Sequence, residues 1–152
     1  MTDQEFADYW TSLVEKKHST KALLSPDERL FYAANIFRGS VPRSGLIGYF
    51  ENTEWGVIRE AHQALESLGL HEARRLLGEA EEIVLAGARQ PAAHERLTLF
   101  DDDLSEDEFE QAMVDLENRV SEIQNQVYRQ DQAIFDALCR FAEEKSLRAP
   151  QG

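Results

Sequence analysis

One cysteine in 152 residues, Cys139, excludes an internal disulfide and fits a reducing compartment. No run approaches the roughly 20 apolar residues that a membrane-spanning helix needs. The opening Met1-Thr2-Asp3-Gln4-Glu5 has neither the basic nor the apolar stretch of a secretory signal, so the expectation is a cytoplasmic protein. Cations are scarce: 16 Lys and Arg stand against 29 Asp and Glu, a formal net charge of −13. Such a field repels nucleic acid and anionic membrane and attracts basic surfaces. No stretch alternates apolar and polar residues as a half-buried strand would.

What is there is helical. Thr2-Asp3-Gln4-Glu5, Ser25-Pro26-Asp27-Glu28 and Ser105-Glu106-Asp107-Glu108 are capping boxes, in which the first side chain and the fourth close each other's backbone amides. Behind the first, Phe6, Tyr9, Trp10, Leu13 and Val14 recur at helical spacing and predict a helix over 3–16. Behind the second, Leu30, Phe31, Ala34 and Phe37 predict a helix over 26–38, stopped at Gly39. The run from Gly39 to Gly45, with Pro42, reads as a turn-rich connector. A short amphipathic piece over 44–51 and a break at Asn52-Thr53 follow. Helices over 54–68, with Gly69 as the stop, and over 71–86, ended between Gly87 and Pro91, come next. Residues 92–104 are ambiguous.

From Phe109 the apolar positions run Met113, Leu116, Val120, Ile123 and Val127, at gaps of 4, 3, 4, 3 and 4. That is a heptad seam. Ile134, Leu138 and Phe141 continue it after a polar interval, as one long helix or as two with Asp131 capping the second. The reading is an all-α, single-domain bundle of about six or seven helices spanning 1–152, its tail frayed from Ser146. The core is expected in the aromatics of the first two helices, the Phe109–Val127 seam, and Tyr49, Phe50 and Trp55. The seam serves a monomer or a homodimer equally well.

Catalytic constellations are sparse. His18, His62, His71 and His94 have no metal-protease spacing and no cysteine partners, and Cys139 sits among apolar helix residues. Asp101 to Asp107 places oxygen ligands at positions 1, 3, 5 and 7 of a calcium loop. Glu106 then stands where glycine is needed, and Ala112 where the bidentate Glu belongs. No GxSxG, phosphate loop or dinucleotide motif occurs. The expectation is a binding protein rather than an enzyme, with no cofactor and no metal.

The charge is concentrated. Residues 101–136 hold twelve acids and only two bases, Arg119 and Arg129. Asp101, Asp102, Asp103, Glu106, Asp107, Glu108, Glu110, Asp115, Glu117 and Glu122 are the candidate partner-binding surface. Glu108, Asp115 and Glu122 recur every seven residues, and Glu110 and Glu117 form a second row, both off the apolar seam. At about 1.5 Å rise per residue, carboxylates so spaced stand roughly 5–10 Å apart, comparable to successive duplex phosphates. A solvated face that only keeps the chain soluble is the plainer reading, though the local excess is larger than solubility requires.

Three stretches, Leu24-Ser25-Pro26-Asp27-Glu28-Arg29-Leu30-Phe31-Tyr32-Ala33, Gly45-Leu46-Ile47-Gly48-Tyr49-Phe50-Glu51-Asn52, and Ala61 to Gly69 followed by Ala73 to Ala80, resemble a widespread bacterial family. Its best-known member type is a DNA-mimic protein. The resemblance covers about 24–145. Gly45, Tyr49, Phe50 and Asn52 carry over as family-motif residues with a structural role, whereas Arg43-Ser44-Gly45 stands where the family tends to have Asn-Gly-Gly. The resemblance implies an all-α fold and an acidic surface that occupies the DNA site of a basic protein, a regulator or a nucleoid protein. The residues alone reach an acidic helical binder. An immunity- or antitoxin-like protein that neutralises a basic toxin, and an interaction domain without mimicry, remain open beside it.

Overall fold

The computed structural model describes residues 1–19, 23–86 and 90–151, and all structural statements below are of these. Six helices follow in order: α1 (Asp3–His18), α2 (Pro26–Asn52), α3 (Trp55–Ser67), α4 (His71–Leu85), α5 (Glu106–Tyr128) and α6 (Asp131–Glu144). No strand forms among the described residues; the one β-bridge pairs Glu54 with Arg96. The fold is a single all-α domain.

All three capping boxes are built. The Glu5, Glu28 and Glu108 amides donate to Thr2, Ser25 and Ser105 side-chain oxygens at 3.1, 3.1 and 3.2 Å. The three glutamates accept in return from the Thr2, Ser25 and Ser105 amides. Gly69, at φ 73, ends α3: its amide donates to Glu66 and that of Leu70 to Leu65, the paired bonds of a left-handed helix stop. Gly87, expected among the residues ending α4, lies outside the described residues.

The largest departure from the sequence reading is α2. The connector expected over Gly39–Gly45 is helical up to Gly45, where φ 74 and ψ 172 kink the helix before its last turns. Proline inside a helix costs about 3 kcal/mol, which argued for a turn. Here Pro42 is exposed, while Phe37, Val41, Leu46 and Ile47 around it are buried, and that burial offsets the cost. The helix bends at the glycine rather than stopping at Gly39.

α2 is the central element, packing against α1, α3, α5 and α6. Its aromatics interlock with their neighbours: Tyr9 stands edge-on to Phe31, at 4.9 Å between ring centres, and Phe37 edge-on to Tyr49 at 5.3 Å. Tyr49, Phe50 and Trp55 are core residues. Arg38 fastens α2 to α6. Its guanidinium lies over Phe6 and Phe135, and its Nε is 3.0 Å from Asp131 Oδ1. α5 and α6 are two helices, and the cap between them is Gln130 rather than Asp131, whose carboxylate is turned to Arg38.

The heptad seam is only half core. Leu116, Val120 and Val127 are buried, Met113 and Ile123 are half-buried, and Phe109 is 44% exposed. At the other end, Ser146 at φ 54 and the Leu147 amide, bonded to Ala142 at 2.8 Å, close α6. Leu147 packs on the core, so the fraying expected from Ser146 does not hold at these two residues.

Candidate partner-binding surface

α5 is nucleated by the Ser105–Glu108 box, and Glu106, Asp107 and Glu108 in its first turn complement the positive end of the helix dipole. Asp101, Asp102 and Asp103 lie in the loop just before it. All ten candidate carboxylates are exposed. The Ser105 backbone amide, with its hydroxyl, holds the Glu108 carboxyl below its ordinary range. Asp115 accepts from Gln111 at 2.9 Å.

Among the described residues, none of the ten is in an ion pair. Acids elsewhere are treated differently. Glu28 meets Lys16 at 2.9 Å, Asp131 meets Arg38, and Glu81 lies 2.9 Å from His62 Nε2 and 3.5 Å from Arg59. Glu72 and Glu79 both bind Arg75. The ion pairs compensate acids on α2, α3, α4 and α6; on α5, Arg119 stands on the flank of Glu108, Asp115 and Glu122 but is in no ion pair among the described residues.

The ten acids do not form one stripe. At about 100° per residue, Glu108, Asp115 and Glu122 fall on one flank of α5, and Glu106, Glu110 and Glu117 on the other. Leu116 and Val120 face inward between the flanks. Asp107 and the 49% exposed Val114 point outward. Glu117 lines a groove against Ser44 and Gly45 of α2, a shallow space of about 420 Å³. Phe109, uncovered by the core, stands edge-on to Phe100 at 5.4 Å between ring centres. The surface therefore combines two carboxylate rows with a few exposed apolar side chains at the N-terminal end of the helix.

The family-motif residues serve α2. Gly45 makes the kink, Tyr49 and Phe50 are fully buried, and Asn52 is exposed at the helix end. Burial pushes the Tyr49 hydroxyl well above the ordinary phenol range. Cys139 is half-buried, and that burial raises its thiol. Among the described residues, no group of three His, Cys, Asp or Glu side chains is arranged to hold a metal ion. Among them, too, no helix is long and apolar enough to cross a membrane.

Sequence reasoning missed a second feature. Lys17 and His18 from α1, Arg43 from α2, and Arg96 from the loop before α5 line one cleft. They are scattered over eighty positions, and only the fold brings them together.

Fold and surface together define a compact class: an all-α domain that displays an uncompensated acidic helix. The chain belongs to the DMP19-like protein family, whose model matches residues 22–145. No curated protein and no solved structure matches it.

Proposed function

We propose that the protein is a cytoplasmic, non-enzymatic binding module whose α5 surface occupies the DNA site of a basic DNA-binding protein. One observation carries the reading: ten exposed carboxylates on and before α5 have no cationic partner among the described residues, while acids on α2, α4 and α6 do. Surface charge kept only for solubility is ordinarily interspersed with the opposite sign. The two-flank arrangement supports the same reading. The rows are separated by about the 10–12 Å diameter of a helix, close to the ~12 Å major-groove width that separates two phosphate strands. The family's name, which refers to a DNA mimic protein, agrees with it.

The test uses the immobilised protein and lysate of its own host, at low and then moderate salt. A basic DNA-binding protein that salt releases and duplex DNA displaces is the expected result. A tight partner indifferent to duplex DNA would overturn mimicry in favour of toxin neutralisation. The same experiment on a chain carrying Glu108→Gln, Asp115→Asn, Glu117→Gln and Glu122→Gln must show weakened capture with the helical signal retained. Equal capture by that variant removes α5 from the interface.

A further inference from the structure

The electrostatic exception in this molecule is a cleft of about 570 Å³ between α1, the kinked part of α2, and the start of α3. Its volume is within the range of small-molecule sites, about 300–1,000 Å³. In a chain with nearly two acids per base, its lining carries Lys17, Arg43 and Arg96 against the single acid Glu54, with His18 at the rim. Among the described residues none of those three cations is in an ion pair; Lys17 Nζ instead sits 5.7 Å from the centre of the Tyr32 ring. Among the described residues Lys16, Arg38, Arg59, Arg74 and Arg75 are ion-paired and other cations are not, but here three unpaired ones converge on one concavity, where a single anion can meet them together.

The cleft is shaped by backbone as well as charge. Gly48 forms part of its wall, and a Cβ there would stand 2.6 Å from the Ser44 Cβ and 3.8 Å from the Asn52 amide nitrogen. Ser44 and Asn52 both line the cleft and offer a hydroxyl and a side-chain amide as neutral donors. Arg96 is held in place by backbone pairing: the Trp55 amide donates to Glu95 and the Gly56 amide to Ala93, each at 2.8 Å. Those bonds also occupy the first amides of α3, so an anion here is gripped by side chains while the helix end adds a partial positive charge.

We propose that this cleft binds a small polyanion carrying phosphate or carboxylate groups. A macromolecular acid fits less well, because a helix about 10–12 Å across does not enter a space of this volume.

The experiment titrates the isotope-labelled full chain at low salt with sodium pyrophosphate, and in a second arm with sodium citrate, following backbone amide shifts. Saturable shifts centred on Ser44, Gly48, Asn52 and Arg96 are expected. Saturation by pyrophosphate alone assigns a phosphate ligand, by citrate alone a carboxylate ligand, and by both a general polyanion site. The exposed pair Arg43→Gln and Arg96→Gln should weaken binding about tenfold or more, from loss of charge-assisted hydrogen bonds. Arg140→Gln with Arg148→Gln, outside the cleft, should leave it unchanged. Shifts that rise without saturation, that spread over all basic residues, or that persist unchanged in the Arg43/Arg96 variant overturn the proposal without touching the reading of α5.

Discussion

The side-chain oxygen of Gln124 on α5 accepts a hydrogen bond from the Leu46 amide at 2.9 Å, closing the kink in α2. A Cβ on Gly45 would stand 2.9 Å from that same oxygen. A kink interrupts the helical ladder and frees an amide, which needs a partner if it is buried. Leu46 is fully buried, and Gln124 reaches across to supply the partner. The kink and the packing of α5 are therefore one feature.

Gln124→Ala should accordingly destabilise the protein by about 1–3 kcal/mol, the cost of a buried unsatisfied amide. Gly45→Ala should cost about 1–3 kcal/mol from the backbone alone, because φ 74 with ψ 172 is a conformation essentially confined to glycine. It should cost more with Gln124 present than absent, because the new methyl crowds the amide oxygen. Urea denaturation of the single and double variants checks both; strictly additive losses would mean that the two residues are not coupled.

Arg38 makes a second separable claim. Its guanidinium is 4.8 Å from the Phe135 ring centre and 5.5 Å from that of Phe6, and is little exposed, whereas its partner Asp131 is about half exposed. A pair so open to water contributes less than about 1 kcal/mol, while the stacked, partly desolvated cation contributes more. Asp131→Asn should cost under about 1 kcal/mol, and Arg38→Ala roughly twice that or more. Arg38→Lys should recover little, because an ammonium does not stack flat on two rings. Equal losses at Arg38 and Asp131 would make the ion pair the fastener instead.

The capping glutamates fix a pH dependence. Glu5 and Glu108 are held below the ordinary 4.5 by the Thr2 and Ser105 amides. Burial of Glu28 works the other way but is outweighed by the Ser25 amide and Lys16. A depressed folded value means that the box is fully stabilising above about pH 4.5 and is lost as the pH falls through the lower folded value. The amide protons of Thr2, Ser25 and Ser105, which donate to these carboxylates, should titrate with midpoints below 4.5. Midpoints at or above it would mean that the boxes are open in solution.

The seam of α5 separates what periodicity can say from what it cannot. α5 has 23 residues and α4 has 15, so at about 1.5 Å per residue the first is roughly 12 Å longer than the helix packed beside it. The apolar spacing continues to Phe109, which stands edge-on to Phe100 and stays 44% exposed. Leu116→Ala should cost about 2–4 kcal/mol, whereas Phe109→Ala should cost less, about 1–2 kcal/mol, because its ring is only partly covered. A large loss at Phe109 in the monomer would place it in a core that the seam alone predicted.

Capping boxes, helix periods and the concentration of acids are local properties, so α1, α3, α4, the start of α5 and the exposed acids were legible from sequence, while the division between α5 and α6 stayed open. The continuation of α2 through Pro42 was not, because burial of Val41 and Leu46 from other elements overrides a local penalty. Pairing of charges was not legible either. Asp131, read as a cap, belongs to Arg38 ninety-three positions away, and Lys17, Arg43 and Arg96 meet only in three dimensions.

The split of the acids into two flanks carries the last prediction. If both rows stand in for phosphate strands, neutralising Glu108, Asp115 and Glu122 and neutralising Glu106, Glu110 and Glu117 should each slow association and speed dissociation of the basic partner retained by the wild-type chain. Glu108 is tied to the Ser105 amide, so its own removal should act chiefly through fraying of the first turn of α5. Asp115→Asn with Glu122→Gln is the cleaner test of the first flank. If the acids serve only as a long-range field, each variant should slow association alone, in proportion to the charge removed, and added salt should erase the difference between them and the wild type. Surface plasmon resonance at two salt concentrations separates the cases: dissociation rates that change for both flanks support two-sided contact. A change confined to one flank would reduce the interface to a single row and remove the groove-width argument for mimicry.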